Sequence, residues 1–114
     1  MKWIKLIETE APRFYRGMVF RLPGKYPYEV WVDFMIYIPP ITQETGLGLM
    51  VISGYKRGNT LVILPHESTV EGHKCIEKNW LIKNWENWVY PDCDVSEVYI
   101  SEGYTANPPS DSCL

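Results

Sequence analysis

The stretch "YEVWVDFMIYI", residues 28 to 38, limits what this chain can fold into more than any other. It is dense in β-branched and aromatic residues, and Pro39-Pro40 ends it because proline lacks the donor that a strand ladder needs. One face carries Val30, Val32, Phe34, Ile36 and Ile38; the other carries Glu29, Trp31, Asp33, Met35 and Tyr37. Such a strand needs partners in a sheet to be stable. Asp33 among apolar neighbours implies either a hydrogen-bonded charge or a strand face partly open to solvent.

Partners for it are easy to find. "WIKLIE" (3 to 8) alternates as a first strand. "YRGMVFRLP" (15 to 23) alternates with Met18, Phe20 and Leu22 on one face, and Pro23-Gly24 stops it. "GLMVISGY" (48 to 55) and "NTLVILP" (59 to 65) flank "KRG", where Gly58 takes positive φ without steric cost. That reads as a β-hairpin, and its nearly continuous apolar runs imply central strands covered on both faces. "PHESTVEGH" (65 to 73) reads as a loop and "VSEVYIS" (95 to 101) as a last strand.

Only residues 77 to 88, "EKNWLIKNWENW", make a good helix. Leu81, Trp85 and Trp88 fall at i, i+4 and i+7, so one face is expected to pin the helix to the sheet. Pro91 ends the helix at or before Tyr90. The pattern predicts an α+β fold, a mainly antiparallel β-sheet of five or six strands with one amphipathic helix packed on it. At 114 residues the chain has the length of one domain and buries roughly 65% of its unfolded surface. The domain is expected over residues 1 to 105, with a polar, proline-rich, flexible tail over 106 to 114.

Motifs for catalysis or metal binding are missing. Cys75, Cys93 and Cys113 cannot all pair within one chain, and their spacing matches neither a disulfide framework nor a zinc pattern. His66 and His73 are the two histidines, and "HKC" (73 to 75) lacks the further ligands a zinc site needs. Ser53 and Ser68 sit outside any nucleophile elbow. No Gly-rich phosphate loop is present. Neither an enzyme nor a cofactor is expected. "MKWIKLIETE" has too short an apolar run for a signal peptide, and no stretch approaches the ~20 apolar residues of a membrane span. The expectation is a cytoplasmic protein with reduced thiols and no membrane partner.

Charge is distributed unevenly. All 11 Lys and Arg lie in residues 1 to 83, against eight Asp and Glu. Beyond them come Glu86, Asp92, Asp94, Glu97, Glu102 and Asp111 with no Lys or Arg. A one-signed stretch attracts a basic partner and repels nucleic acid. "GYKRGN" (54 to 59) is too small a basic patch to reverse that.

"RGMVFRLP" (16 to 23), "WVDFMIY" (31 to 37), "VISGYKRG" (51 to 58), "LVILPHES" (61 to 68) and "NWLIKNWENWVYPDC" (79 to 93) come in this order. Together they resemble the bacterial polymorphic-toxin immunity proteins, specifically the family numbered forty-five among them, over about residues 13 to 104. The resemblance implies an immunity protein that binds and neutralises a cognate toxin C-terminal domain in a one-to-one heterodimer. The toxin would be a nuclease (RNase or DNase) of a contact-dependent growth inhibition or related polymorphic toxin system. It brings no catalytic residues. A nuclease cleft is basic, so the acids are the expected toxin-binding groups: Asp92, Asp94, Glu97 and Glu102, with Tyr90, Tyr99 and Tyr104 supplying aromatic contact. The alternative is a small intracellular ligand-binding domain whose aromatic pocket is lined by Trp31 and Tyr37.

Overall fold

The computed structural model describes residues 2–40 and 44–109; Asp111 and Cys113 lie outside them. Among the described residues, eight strands and one α-helix follow in the order β1 (Ile4–Lys5), β2 (Arg13–Phe14), β3 (Val19–Pro23), β4 (Trp31–Tyr37), β5 (Thr45–Val51), β6 (Thr60–Pro65), β7 (Ile76–Glu77), α1 (Lys78–Trp88) and β8 (Tyr99–Ser101). The main sheet has six strands in the order β1-β8-β3-β4-β5-β6, all antiparallel, and β2 pairs with β7 in a second, two-stranded sheet. This is the expected α+β class, mainly sheet.

β3 to β6 form a meander, each pairing with the next along the chain. β8 then returns from the far end of the sequence to lie between β1 and β3. Its register sets Ile100 against Phe20 and against Ile4, and Tyr99 against Arg21 and against Lys5. β3 and β4 pair Phe20 with Phe34, Leu22 with Val32 and Arg21 with Asp33. Directly opposed residues share a sheet face. One face is therefore Phe20, Leu22, Val32, Phe34, Ile36, Leu49, Val51 and Ile100, all buried. The other contains Arg21, Trp31, Asp33, Met35, Tyr37 and Tyr99, half-buried or exposed, with Val19 and Ser101 buried where β3 meets β8.

α1 packs on the apolar face. Trp85 is 1% exposed and meets Phe20 edge-on at 5.8 Å between ring centroids, and Phe20 also meets Phe14 edge-on at 5.9 Å. The start of the helix is tied to the N-terminal segment. β7 runs directly into it, the Lys78 amide donates to Pro12 O at 3.0 Å, and Lys78 Nζ donates to Thr9 O.

Three expectations need correction. Trp88 is 40% exposed and does not pin the helix. The buried stripe is Leu81, Trp85 and Val89, which steps forward by about 40° at each four-residue interval, whereas Trp88 lies about 20° behind Leu81. Trp88 instead packs against Trp80 at 6.1 Å. β6 is an edge strand rather than a central one, and Ile63 is exposed on it. The outer strand segments are also shorter than the alternation implies. After two strand residues, Leu6–Glu8 turns into a 3₁₀ helix with Leu6 buried, and Val95–Glu97 forms another before β8. The Leu6 amide donates to Val98 O at 2.8 Å, so the two turns lie side by side.

Candidate interaction surface

The uncovered sheet face carries a groove of about 490 Å³ lined by Trp3, Arg21, Trp31, Asp33, Ser53 and Tyr99. At its floor the Arg21 and Asp33 side chains form a two-pronged pair, Nε to Oδ1 at 2.8 Å and Nη2 to Oδ2 at 2.9 Å. Charge-assisted, bidentate bonds of this kind fix the guanidinium plane. The Trp3 ring lies against that plane, 4.2 Å from its centroid to Arg21 Cζ. The bond to Asp33 raises the Arg21 pKa, and partial burial opposes it. Asp33 is thus both of the things its sequence context implied: a hydrogen-bonded charge on a face partly open to solvent.

The backbone around Asp33 is also held. Its amide donates to Ser53 Oγ at 2.9 Å and its carbonyl accepts from the Ile52 amide at 3.0 Å. Those residues lead into the β5–β6 turn, where Gly54 and Gly58 have φ of 70° and 95°. Gly58 meets nothing but open space, so its conformation is what glycine supplies there. Trp31 is 51% exposed at the lip of the groove. Tyr37 lies on the same face but outside the groove lining, with its hydroxyl 2.7 Å from Thr60 Oγ1.

Among the residues expected to contact a toxin, the structure makes distinctions. Asp92, Asp94 and Glu97 are exposed in the turn that enters β8. Asp94 also accepts from Ser96 Oγ and holds the Glu97 amide at 2.9 Å. Glu102 and Tyr104 are exposed beyond the other end of β8, so the strand separates them from the first three acids. Tyr90 is 4% exposed. Its ring meets Tyr28 at 5.8 Å and Phe34 at 6.2 Å, and its hydroxyl accepts from the Lys25 amide at 2.8 Å. That geometry gives it a packing role. Tyr99 lines the groove beside Trp3 and Trp31.

Two buried cysteines, Cys75 and Cys93, are free thiols. Burial pushes the Cys93 thiol up to about 11, aided by the charges of Glu97 and Asp94. His66 and His73 share a shallow hollow with Thr69 and Lys74. Among the described residues no three His, Cys, Asp or Glu side chains converge as metal ligands. No described helix is long and apolar enough to cross a membrane.

The model of the family described as immunity protein 45 matches residues 6–100, from the turn after β1 into β8. The chain belongs to the immunity protein 45 family. Membership assigns a toxin-neutralising immunity role, an inhibitor's task carried out by binding a cognate toxin. No curated protein and no solved structure matches the chain. For an immunity protein 45 member, the groove and the acidic turn that leads into β8 are candidate contact surfaces.

The groove itself was not foreseen from the sequence. Its lining comes from residues 3, 21, 31, 33, 53 and 99, which only the strand order brings together. The local signals were Asp33 and Trp31, the latter expected in an aromatic pocket with Tyr37, which lies outside the groove.

Proposed function

We propose that this immunity protein neutralises a basic nuclease toxin of a contact-dependent growth inhibition or related polymorphic toxin system. It acts in the cytoplasm through a one-to-one complex without catalysis. The observation that carries this is the acidic run. Asp92, Asp94, Glu97 and Glu102 are all exposed, in a part of the chain that holds no Lys or Arg after residue 83. A nuclease must hold a polyanion, so its cleft presents cations. Acids on an inhibitor speed encounter with such a cleft and compete for its phosphate sites.

The test is association rate against ionic strength for the parent and for a variant with Asp92→Asn, Asp94→Asn, Glu97→Gln and Glu102→Gln. The expected result is slower association of the variant at low salt, with the difference shrinking as the Debye length falls to ~8 Å at physiological ionic strength. Equal rates at every salt concentration would reduce the acids to a solvated face.

A further inference from the structure

We propose that β6 pairs with β6 of a second copy of this chain, antiparallel across a two-fold axis, so that the free protein is a homodimer with one continuous sheet. The inference goes beyond the toxin-binding reading and does not rest on it.

The two edges of the main sheet are built differently. β1 is two residues long, carries Lys5 and turns at once into the Leu6–Glu8 3₁₀ helix. A short, charged edge of this kind resists further pairing. β6 runs for six residues and, among the described residues, pairs only with β5. Residues 45 to 55 and 58 to 65 hold no charged side chain. The blunting devices on β6 are Pro65 and a bulge at Leu61, where Val62 opposes Leu49 and Thr60 opposes Met50. Both lie toward the strand's ends and leave Val62, Ile63 and Leu64 unguarded. Ile63 is 42% exposed and stands on the uncovered face, in the same row as Tyr37 and Gly48.

The backbone selects the shape of the occupant, because the outward N–H and C=O groups of an edge take an extended strand. Charge selects whose strand it is. The turn before β6 carries Lys56 and Arg57 against Glu29, which accepts from the Tyr55 amide at 3.1 Å. The far end carries Glu44, Glu67 and Glu71 against Lys74, with His66 and His73 neutral at pH 7. One end of β6 is thus net positive and the other net negative. Antiparallel pairing of two copies lays the positive end of each on the negative end of the other. The faces agree as well. A two-fold axis through the sheet keeps core face beside core face, and opposed residues share a face. An axis at Ile63 therefore sets Ile63 against Ile63 of the second copy outside, and Val62 against Leu64 inside. The open edges of the joined sheet are then two β1 strands, both guarded. Asp92, Asp94 and Glu97 lead into β8, four strand spacings from β6 or roughly 19 Å, so pairing leaves them free for a toxin and a complex would hold two copies of each partner.

The experiment sediments the full chain, without toxin, over a hundredfold range of concentration. The expected weight-average mass rises from the 13.3 kDa of one chain toward twice that value. Ile63→Lys sets like charges face to face and should raise the dimer Kd about tenfold or more. Ile7→Lys, at the same 42% exposure on the turn after β1, should change it less than about threefold. Lys56→Glu and Glu67→Lys should each weaken the dimer, and the two together should restore it, because the swapped charges meet again across the axis. A further readout needs no variant to fold: amide exchange of the parent within Val62–Leu64 should slow as concentration rises. A 13.3 kDa species throughout, with exchange independent of concentration, overturns the proposal and leaves the toxin reading standing. Exchange that slows only when the purified C-terminal domain of the protein encoded immediately upstream is added overturns it in favour of a toxin strand on this edge. A dimer unmoved by Ile63→Lys overturns it in favour of another face, and a charge swap without rescue overturns the antiparallel pairing.

Discussion

Trp85 and Trp88 stand three residues apart and have opposite fates. Trp85→Ala removes a side chain wholly inside the core and should cost ~3–5 kcal/mol. Trp88→Ala removes one side of an exposed pair with Trp80 and should cost about 1 kcal/mol. Urea melts of the two variants measure this directly. Trp85→Phe should fall well short of the alanine cost, because the buried indole Nε1 has no acceptor among the described residues and phenylalanine removes that donor. The sequence made Trp85 legible through its four-residue spacing from Leu81. It misplaced Trp88 because i+7 and i+8 fall on opposite sides of Leu81, about 20° behind it and about 80° ahead, and only the sheet's position decides which side turns inward. Cys93 carries a pH prediction. Its thiol titrates near 9.0 when unperturbed and at about 11 in the fold, so the folded state holds the proton more tightly. The stabilisation is fully present below about pH 9 and fades as pH rises through about 11. Urea midpoints of the parent should fall over that window more steeply than those of Cys93→Ala.

At the scale of elements, β4 was the most legible feature and β6 the least. Over Trp31–Tyr37 the alternation predicts the two faces of β4, and Val32, Phe34 and Ile36 are buried as it requires; Val30, expected on the core face, lies ahead of the strand and is 77% exposed. β6 is no less apolar, yet it is an edge. An apolar run records that a strand is covered, not which neighbour covers it. The short second sheet, Arg13–Phe14 with Ile76–Glu77, left no trace because two-residue pairings have no periodicity. β5 supplies an element-scale prediction. A Cβ on Gly48 would lie 2.5 Å from Tyr37 Cε1, inside contact distance of a ring. Gly48→Ala should therefore displace Tyr37 from Thr60 and cost ~1–3 kcal/mol. In a double-mutant cycle, Tyr37→Ala should suppress most of that penalty; additive effects would mean the clash is with the backbone instead.

For the molecule as a whole, the decisive event is the return of β8 between β1 and β3. It closes the apolar face with Ile100 and, on the reverse side, sets Tyr99 beside Arg21. The same strand thus finishes the core and the groove. Composition and patterning reveal the strands that take part but not their lateral order, so the acidic run could be read from the sequence and the groove beside it could not. The charge asymmetry makes a prediction at this scale. Lys25→Glu and Lys83→Glu add negative charge at exposed positions outside the groove lining, and both should raise the association rate with a basic toxin at low salt by a few-fold, leaving the dissociation rate unchanged. Stopped-flow mixing at two ionic strengths measures both rates.

Because α1 covers only one side of the sheet, each strand of its centre is two texts written on alternate letters. In β4, Val32, Phe34 and Ile36 answer to the core, while Trp31 and Asp33 answer to whatever approaches from outside. A lineage pursued by a changing toxin can rewrite the second text without disturbing the first. Core and outer face are interleaved in sequence and separated in space by the thickness of a single sheet.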